Sequence, residues 1–252
     1  MQGSEFRTVD VVTTDGVMAT EIFYGPAGAP GVLFYMDARG VRDELRGMCR
    51  RLAEGGYTVL LPDLYYRQGR QLGFPSETSR GDAQEFETIV NLIKSTRISE
   101  VMSDTAALFD WIKRDPDTGI ERYGVVGYCM GGPFAFGTAS RFPDQVAAAA
   151  SFYGVGCMAD DPASPHHGVA KIRGELYFGY AEKDHLAPVS EIEPLGRLLD
   201  KAQVRHRIEL YAGADHGFAF PRRKTYDTGA DAKHWEALFD LFGRTLGSSR
   251  VA

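Results

Sequence analysis

Short apolar runs alternate with amphipathic stretches along most of the chain. Residues 32–35 and 58–61 are apolar on both faces, which is typical of strands buried in a parallel sheet. Between these runs, apolar side chains recur at the spacing of a helix that buries one face, at Val41, Leu45, Met48 and Leu52. Where parallel strands alternate with helices, right-handed crossovers place the helices on both faces of the sheet.

The same reading covers the rest of the chain. Residues 9–13 and 18–23 flank the turn-forming pair Asp15-Gly16 and predict an antiparallel hairpin at the edge of the sheet. Further strands are predicted at 123–126, 147–153, 175–180 and 207–211, and further helices at 101–112, 133–140, 191–202 and 235–246. We therefore predict an α/β fold with a mostly parallel, twisted sheet of about seven to eight strands.

The domain organisation is expected to be simple. The chain has 252 residues and no linker-like stretch, so residues 1–252 are predicted to form a single domain. Residues 64–97, rich in Arg, Gln, Gly and Ser, are expected to form a small helix-bearing flap. Within it, Asp82 and Glu85 have the spacing of a capping box at the start of a helix.

Composition and charge exclude several classes of function. The net charge of −6 disfavours binding to nucleic acid or to an anionic membrane. The three cysteines lack C-x-x-C spacing, which argues against a disulfide framework and a zinc site, so no metal is expected. No signal peptide and no apolar run of about 18 residues is visible, so a cytoplasmic protein, monomeric or homodimeric, is expected.

The strongest local motif is Gly127-Tyr128-Cys129-Met130-Gly131-Gly132, which lies between a predicted strand and a predicted helix. A sharp strand-to-helix turn requires glycines because it leaves little room for Cβ atoms, and it holds the central side chain above the sheet edge. This pattern predicts a nucleophile elbow with cysteine as the nucleophile. The start of the following helix and a nearby imidazole would favour the thiolate.

Two later loops offer the partners that such a nucleophile needs. Asp184 follows one predicted strand and His216 follows another, so the chain order is nucleophile, acid, histidine, as in α/β-hydrolases. His216 would act as general base and acid, and Asp184 would orient its ring. In this fold the oxyanion is bound by backbone N–H groups, here those of Met130 and of a residue near Ala38.

Each of these residues also has a simpler interpretation. Buried cysteines are usually inert, and loop acids usually cap turns, so Glu182 and Asp215 compete with Asp184 for the role of the acid. His166 and His167 lie in a polar loop without a third ligand in view, which makes a metal site there improbable.

Taken together, the motifs resemble those of the dienelactone hydrolase family, also called carboxymethylenebutenolidases, whose members carry a cysteine in the α/β-hydrolase elbow. The resemblance extends from about residue 11 to 246 and rests on five segments, namely 62–65, 127–132, 151–154, 184–188 and 214–218. It implies an α/β-hydrolase fold, a triad of Cys129, Asp184 and His216, a small ester or lactone as substrate, and no organic cofactor.

The chain departs from the family pattern at two positions. Where the family has a glutamate that hydrogen-bonds the resting thiol, this chain has Asp37, one methylene shorter. Where the family has an arginine that grips the substrate carboxylate, four residues after the histidine, this chain has Phe220. Arg222 and Arg223 follow it, and Arg80, Arg70 or Arg67 in the flap offers another cation, so the resemblance leaves the substrate-binding residues open among Phe220, Arg80 and Arg222.

Three functions are compatible with these residues. The first is hydrolysis of a lactone or activated ester through a cysteinyl thioester. The second is a general carboxylesterase with an apolar acyl pocket lined by Phe220 and by Tyr65, Tyr66 and Phe74. The third is a non-catalytic thiol-sensing protein on the same scaffold, because fold does not dictate activity.

Overall fold

Eight strands form one sheet in the computed structural model, which describes residues 6–75, 83–115 and 117–247. The strands are β1 (Arg7–Thr13), β2 (Gly16–Phe23), β3 (Gly31–Tyr35), β4 (Thr58–Pro62), β5 (Tyr123–Tyr128), β6 (Val146–Phe152), β7 (Glu175–Ala181) and β8 (His206–Tyr211). Their order across the sheet is β1-β2-β4-β3-β5-β6-β7-β8. β2 is antiparallel to both of its neighbours, and all the other pairs are parallel. The predicted fold class is therefore confirmed.

Six α-helices accompany the sheet in the described part of the chain. They are α1 (Asp43–Glu54), α2 (Ala83–Ser95), α3 (Ile98–Arg114), α4 (Gly131–Arg141), α5 (Ile192–Lys201) and α6 (Thr228–Leu246). Short 3₁₀ helices at Pro165–Lys171 and Val189–Glu191 were not predicted from the sequence. No helix within the described ranges is long and apolar enough to span a bilayer.

The helices cover both faces because successive side chains of a strand point to opposite sides. The Tyr35 hydroxyl contacts that of Thr105 on α3 at 2.5 Å, and α4 packs beside α3 on that face. On the other face, Phe34 packs against Tyr128, whose hydroxyl lies 2.7 Å from Nε2 of His234 on α6. The strands between these layers are almost completely buried.

The parallel strands determine where the functional residues meet. β3, β4, β5, β7 and β8 run in the same direction, so the loops that follow them emerge at one edge of the sheet. These loops carry Asp37, Tyr65, Cys129, Asp184 and His216. The antiparallel hairpin predicted at the start of the chain is present as β1 and β2, with β1 at the edge. Asp82 of the predicted capping box lies outside the described residues.

Candidate active site

Cys129 lies on a tight turn between β5 and α4. Its backbone has a φ of 54°, in the left-handed region that side chains other than glycine rarely adopt. A Cβ atom at Gly127 would overlap the carbonyl oxygen of Gly131, and one at Gly131 would lie 2.7 Å from the carbonyl oxygen of Met36. The glycines are therefore required by the close backbone approach, and the thiol is left partly exposed.

The turn is fixed by backbone hydrogen bonds to the next strand. The N–H of Cys129 donates to the carbonyl of Phe152 at 3.1 Å, and the carbonyl of Cys129 accepts from the N–H groups of Gly132 and Val155, each at 3.1 Å. These bonds hold a conformation that is costly for a residue with a side chain. The backbone of Cys129 is thus held in its strained conformation by α4 and by the end of β6 and the loop after it.

Asp184 and His216 form a hydrogen-bonded pair at the same edge of the sheet. The Nδ1 atom of His216 lies 2.7 Å from Oδ2 of Asp184, whose carboxylate is inaccessible to solvent. The other oxygen, Oδ1, accepts from the N–H groups of Leu186 at 2.7 Å and Ala187 at 3.1 Å. Burial disfavours the charged carboxylate, but these hydrogen bonds and the charge of His216 outweigh it and lower the pKa of Asp184.

The imidazole of His216 is influenced by the nucleophile. Burial opposes its protonation, but the charge of Cys129 and the hydrogen bond to Asp184 prevail and raise the pKa of His216 from 6.5 to about 10. Within the described residues, no atom meets both the distance and the angle of a hydrogen bond with the buried Nε2 atom of His216. Cys129 therefore raises the pKa of His216 mainly through its charge. Edge-to-face packing of the Tyr153 ring, with centroids 5.1 Å apart, restrains the imidazole plane.

The two other acids considered from the sequence have different partners. Glu182 accepts a hydrogen bond from the N–H of Gly213 at 2.6 Å, and Asp215 accepts one from the N–H of His216 at 2.7 Å. Both therefore stabilise loops, and Asp184 is the acid that reaches the imidazole ring.

The backbone donors predicted for an oxyanion are placed close to the elbow. Met130 immediately precedes α4, and Ala38 lies in the loop after β3. Across the described ranges, neither N–H group donates to a protein acceptor. Because buried N–H groups are nearly always paired in folded proteins, two unpaired donors on either side of the elbow are suited to an anionic oxygen of a substrate.

Asp37 is engaged by arginines. Its carboxylate is fully buried and accepts from Nη1 of Arg42 at 2.5 Å, from Nη2 of Arg223, and from the N–H of Arg39 at 3.2 Å. Burial opposes ionisation, but the charges of Arg42 and Arg223 hold the pKa of Asp37 below its usual value. No hydrogen bond joins Asp37 to Cys129 among the residues that the structure describes.

The structure does not bring the proposed substrate-binding residues to the thiol. Phe220 is completely buried, with the guanidinium groups of Arg42 and Arg223 at 5.1 and 4.8 Å from its ring centroid. It is therefore a core residue beneath two cations and not part of a pocket wall. Arg222 is exposed and borders a separate polar cavity with Arg42. Arg80 lies outside the described residues.

A cavity of about 580 Å³ opens beside the thiol of Cys129. Its walls come from four separate parts of the chain and are mainly apolar; they include Ile98, Met130, Pro133, Phe134, Val155 and Leu186. This volume is in the usual range for a small-molecule site. Apart from Met130, sequence reasoning missed these residues because nothing local marks them as a pocket; they come together only through the crossovers of the sheet. Tyr65, Tyr66 and Phe74, proposed as pocket aromatics, do not border this cavity.

Comparisons with known proteins concern the family and the fold of the chain. A model of the Dienelactone hydrolase family matches residues 19–246. A Synechocystis sp. protein named "Putative carboxymethylenebutenolidase" is 31% identical over 95% of this chain and 99% of its own. Among solved structures, a Klebsiella pneumoniae protein described as "Putative Dienelactone Hydrolase" has a TM-score of 0.81 at 24% identity, covering 95% of this chain and 98% of its own. The dienelactone hydrolase of Anabaena variabilis has a TM-score of 0.66 at 18% identity, covering 96% and 99%. At these identities, the structural matches are evidence for the fold alone.

Proposed function

The chain belongs to the dienelactone hydrolase family, whose members hydrolyse esters and lactones, and we propose that it does so through a cysteinyl thioester on Cys129. The observation that carries the proposal is the pair of His216 and Asp184, with Nδ1 and Oδ2 2.7 Å apart and the pKa of His216 raised by the charge of Cys129. This combination is what a thiol nucleophile needs to lose its proton to a neighbouring base.

Acylation begins when the proton of the Cys129 thiol passes to Nε2 of His216. The thiolate attacks the carbonyl carbon, and the carbonyl oxygen becomes an oxyanion that accepts from the N–H groups of Met130 and Ala38. As the tetrahedral species collapses, the C–O bond breaks and the leaving alkoxide takes the proton from His216. A simple ester releases a free alcohol, whereas a lactone keeps the new hydroxyl on the acyl chain.

Deacylation reverses these roles with water as the nucleophile. His216 removes a proton from water, and the hydroxide adds to the thioester carbon. The C–S bond then breaks, the carboxylic acid leaves, and the Cys129 sulfur takes the proton back from His216. Asp184 accepts from Nδ1 throughout, which keeps Nε2 free to accept a proton and stabilises the imidazolium.

A second candidate, a general carboxylesterase, is favoured by the cavity. Its walls near Cys129 are largely apolar, which suits an uncharged acyl group. The choice between the two concerns the substrate only, because the same chemistry at Cys129 serves both.

The test compares two substrates and two cysteine variants. Ring opening of a dienelactone is measured against release of p-nitrophenol from short acyl esters, and mass spectrometry follows the acyl adduct on Cys129. Cys129→Ala should abolish turnover and the adduct, whereas Cys49→Ala, a buried cysteine of α1, should preserve both. Turnover that survives in Cys129→Ala would exclude the thioester. A thiol-sensing protein would react with peroxide yet hydrolyse neither substrate.

A further inference from the structure

Several polar backbone groups of the loop after β3 have partners within the protein. The carbonyl of Asp37 accepts from the N–H of Gly40 at 3.1 Å, and the Asp37 side chain accepts from the N–H of Arg39 at 3.2 Å. The carbonyl of Arg39 accepts from the N–H of Phe74 at 2.8 Å. In this loop, as far as the described residues show, the N–H of Ala38 is left without an acceptor.

The carbonyl of Ala38 is held by a side chain from another loop. The hydroxyl of Tyr65, in the loop after β4, donates to this carbonyl at 2.7 Å. The same hydroxyl oxygen lies 3.6 Å from the sulfur of Met130. One buried hydroxyl therefore contacts both residues whose N–H groups flank the thiol.

Tyr65 is itself fixed in place. Its side chain is completely buried, and its N–H donates to Oδ1 of Asp63 at 3.1 Å. The other oxygen of Asp63 accepts from the N–H of Gln71 at 2.6 Å, which closes the loop between the two residues. Burial, with Asp37 and Cys129 as neighbouring charges, raises the pKa of Tyr65, so the hydroxyl keeps its proton as a donor.

We propose that Tyr65 is a positioning residue that holds the Ala38 and Met130 N–H groups in register for the oxyanion. This proposal rests on the proposed hydrolysis at Cys129. A hydrogen bond to the Ala38 carbonyl restrains the Ala38–Arg39 peptide plane, which is joined through the Cα atom of Ala38 to the peptide that carries the Ala38 N–H. Oxyanion donors act through preorganisation, since a donor that must reorient stabilises the transition state less.

The test is Tyr65→Phe, which removes the hydroxyl and keeps the ring. We expect kcat for a p-nitrophenyl ester to fall roughly tenfold with KM within about twofold, because the oxyanion that the positioned N–H groups stabilise forms only as the transition state is reached. A trifluoromethyl ketone, which forms an oxyanion on the cysteine, should bind roughly tenfold more weakly. Alkylation of Cys129 by iodoacetamide forms no oxyanion and should keep its rate.

Tyr66→Phe is the matched control. The hydroxyl of Tyr66 contacts the hydroxyl of Thr13 at 2.7 Å and donates to the carboxylate of Asp104 at 2.8 Å, away from the elbow. In Tyr66→Phe, kcat and inhibitor affinity should therefore stay at the wild-type value. A second variant, Asp63→Asn, retains the Tyr65 hydroxyl but sets an amide group against one of two N–H donors. It should weaken ketone binding in the same direction.

The outcomes separate this proposal from the one on which it rests. If wild-type protein hydrolyses no ester or lactone, the proposed function fails. If wild-type protein is active and Tyr65→Phe keeps its kcat and ketone affinity, the positioning role is wrong. A parallel loss of alkylation rate and melting temperature in Tyr65→Phe would also overturn it, since that result means general loosening of the fold.

Discussion

Replacing Asp184 with asparagine tests the orientation of the imidazole. In the wild-type protein Oδ2 accepts from Nδ1 of His216, while Oδ1 accepts from two backbone N–H groups, those of Leu186 and Ala187. In Asp184→Asn the amide oxygen will stay with the two N–H donors, and its NH₂ group will face Nδ1. His216 must then carry its proton on Nε2, where it cannot accept the proton of the Cys129 thiol.

The structure gives a scale for the loss. A rise of the pKa of His216 from 6.5 to about 10 corresponds to about 5 kcal/mol in favour of the imidazolium, after burial has opposed it. Cys129 is the larger cause of this rise; if Asp184 supplies about 2 kcal/mol of it, the removal of Asp184 slows the reaction roughly 30-fold. The unfavourable tautomer adds to this, so we expect kcat to fall by about 10²–10³-fold with little change in KM.

Stopped-flow measurement of the p-nitrophenol burst isolates the acylation step. Asp215→Asn and Glu182→Gln are the controls, because their carboxylates accept from backbone N–H groups and not from the imidazole. Each should retain an acylation rate within about threefold of wild type. A drop of less than threefold in Asp184→Asn, or an equal drop in either control, would refute the assignment of the acid.

Three further outcomes follow from the same contacts. Gly127→Ala should reduce activity at least tenfold and lower Tm by several degrees in a circular dichroism melt, because the new Cβ overlaps the Gly131 carbonyl. Asp37→Asn should lower the free energy of unfolding in urea by about 3 kcal/mol, because Arg42 and Arg223 lose the buried anion that they share. Full retention of stability would contradict this. Because the pKa of His216 is raised, the protonated imidazole contributes its full stabilisation below pH 6.5 and loses it as the pH rises through about 10. The Tm difference between wild type and His216→Gln should therefore shrink over that interval.

The fold could be predicted because its signals are local. A run such as residues 32–35 is apolar on both faces whatever the rest of the chain does, and a pattern such as 41–52 buries one helical face. Element ends were less predictable: α3 begins at Ile98, three residues before the first apolar position used to place it. Ile98 lies at helical spacing from Val101, and its side chain packs against Gly137 of α4, a contact between helices that the sequence does not show.

The candidate site was predictable only in part. Cys129 and His216 occur in short motifs whose glycines mark tight turns, so local sequence was sufficient to nominate them. The environment of Phe220 was not visible, because the arginines that cover it lie in other segments, Arg42 far earlier in the chain and Arg223 beyond the next turn. The spacing from His216 identified Phe220 as a candidate, but it did not show that the Phe220 side chain points into the core.

Asp37 shows why residue type at a motif position is insufficient to assign a role. A carboxylate that deprotonates a thiol must be able to hold a proton near neutral pH, which requires a pKa close to that range. Here the charges of Arg42 and Arg223 lower the pKa of Asp37 in spite of its burial, so it holds a proton less well than a free aspartate. His216, with its pKa raised, is the stronger proton acceptor at the same edge of the sheet. We therefore infer that the thiol proton passes to His216, and that Asp37 serves to anchor two cations beneath the loop that carries Ala38.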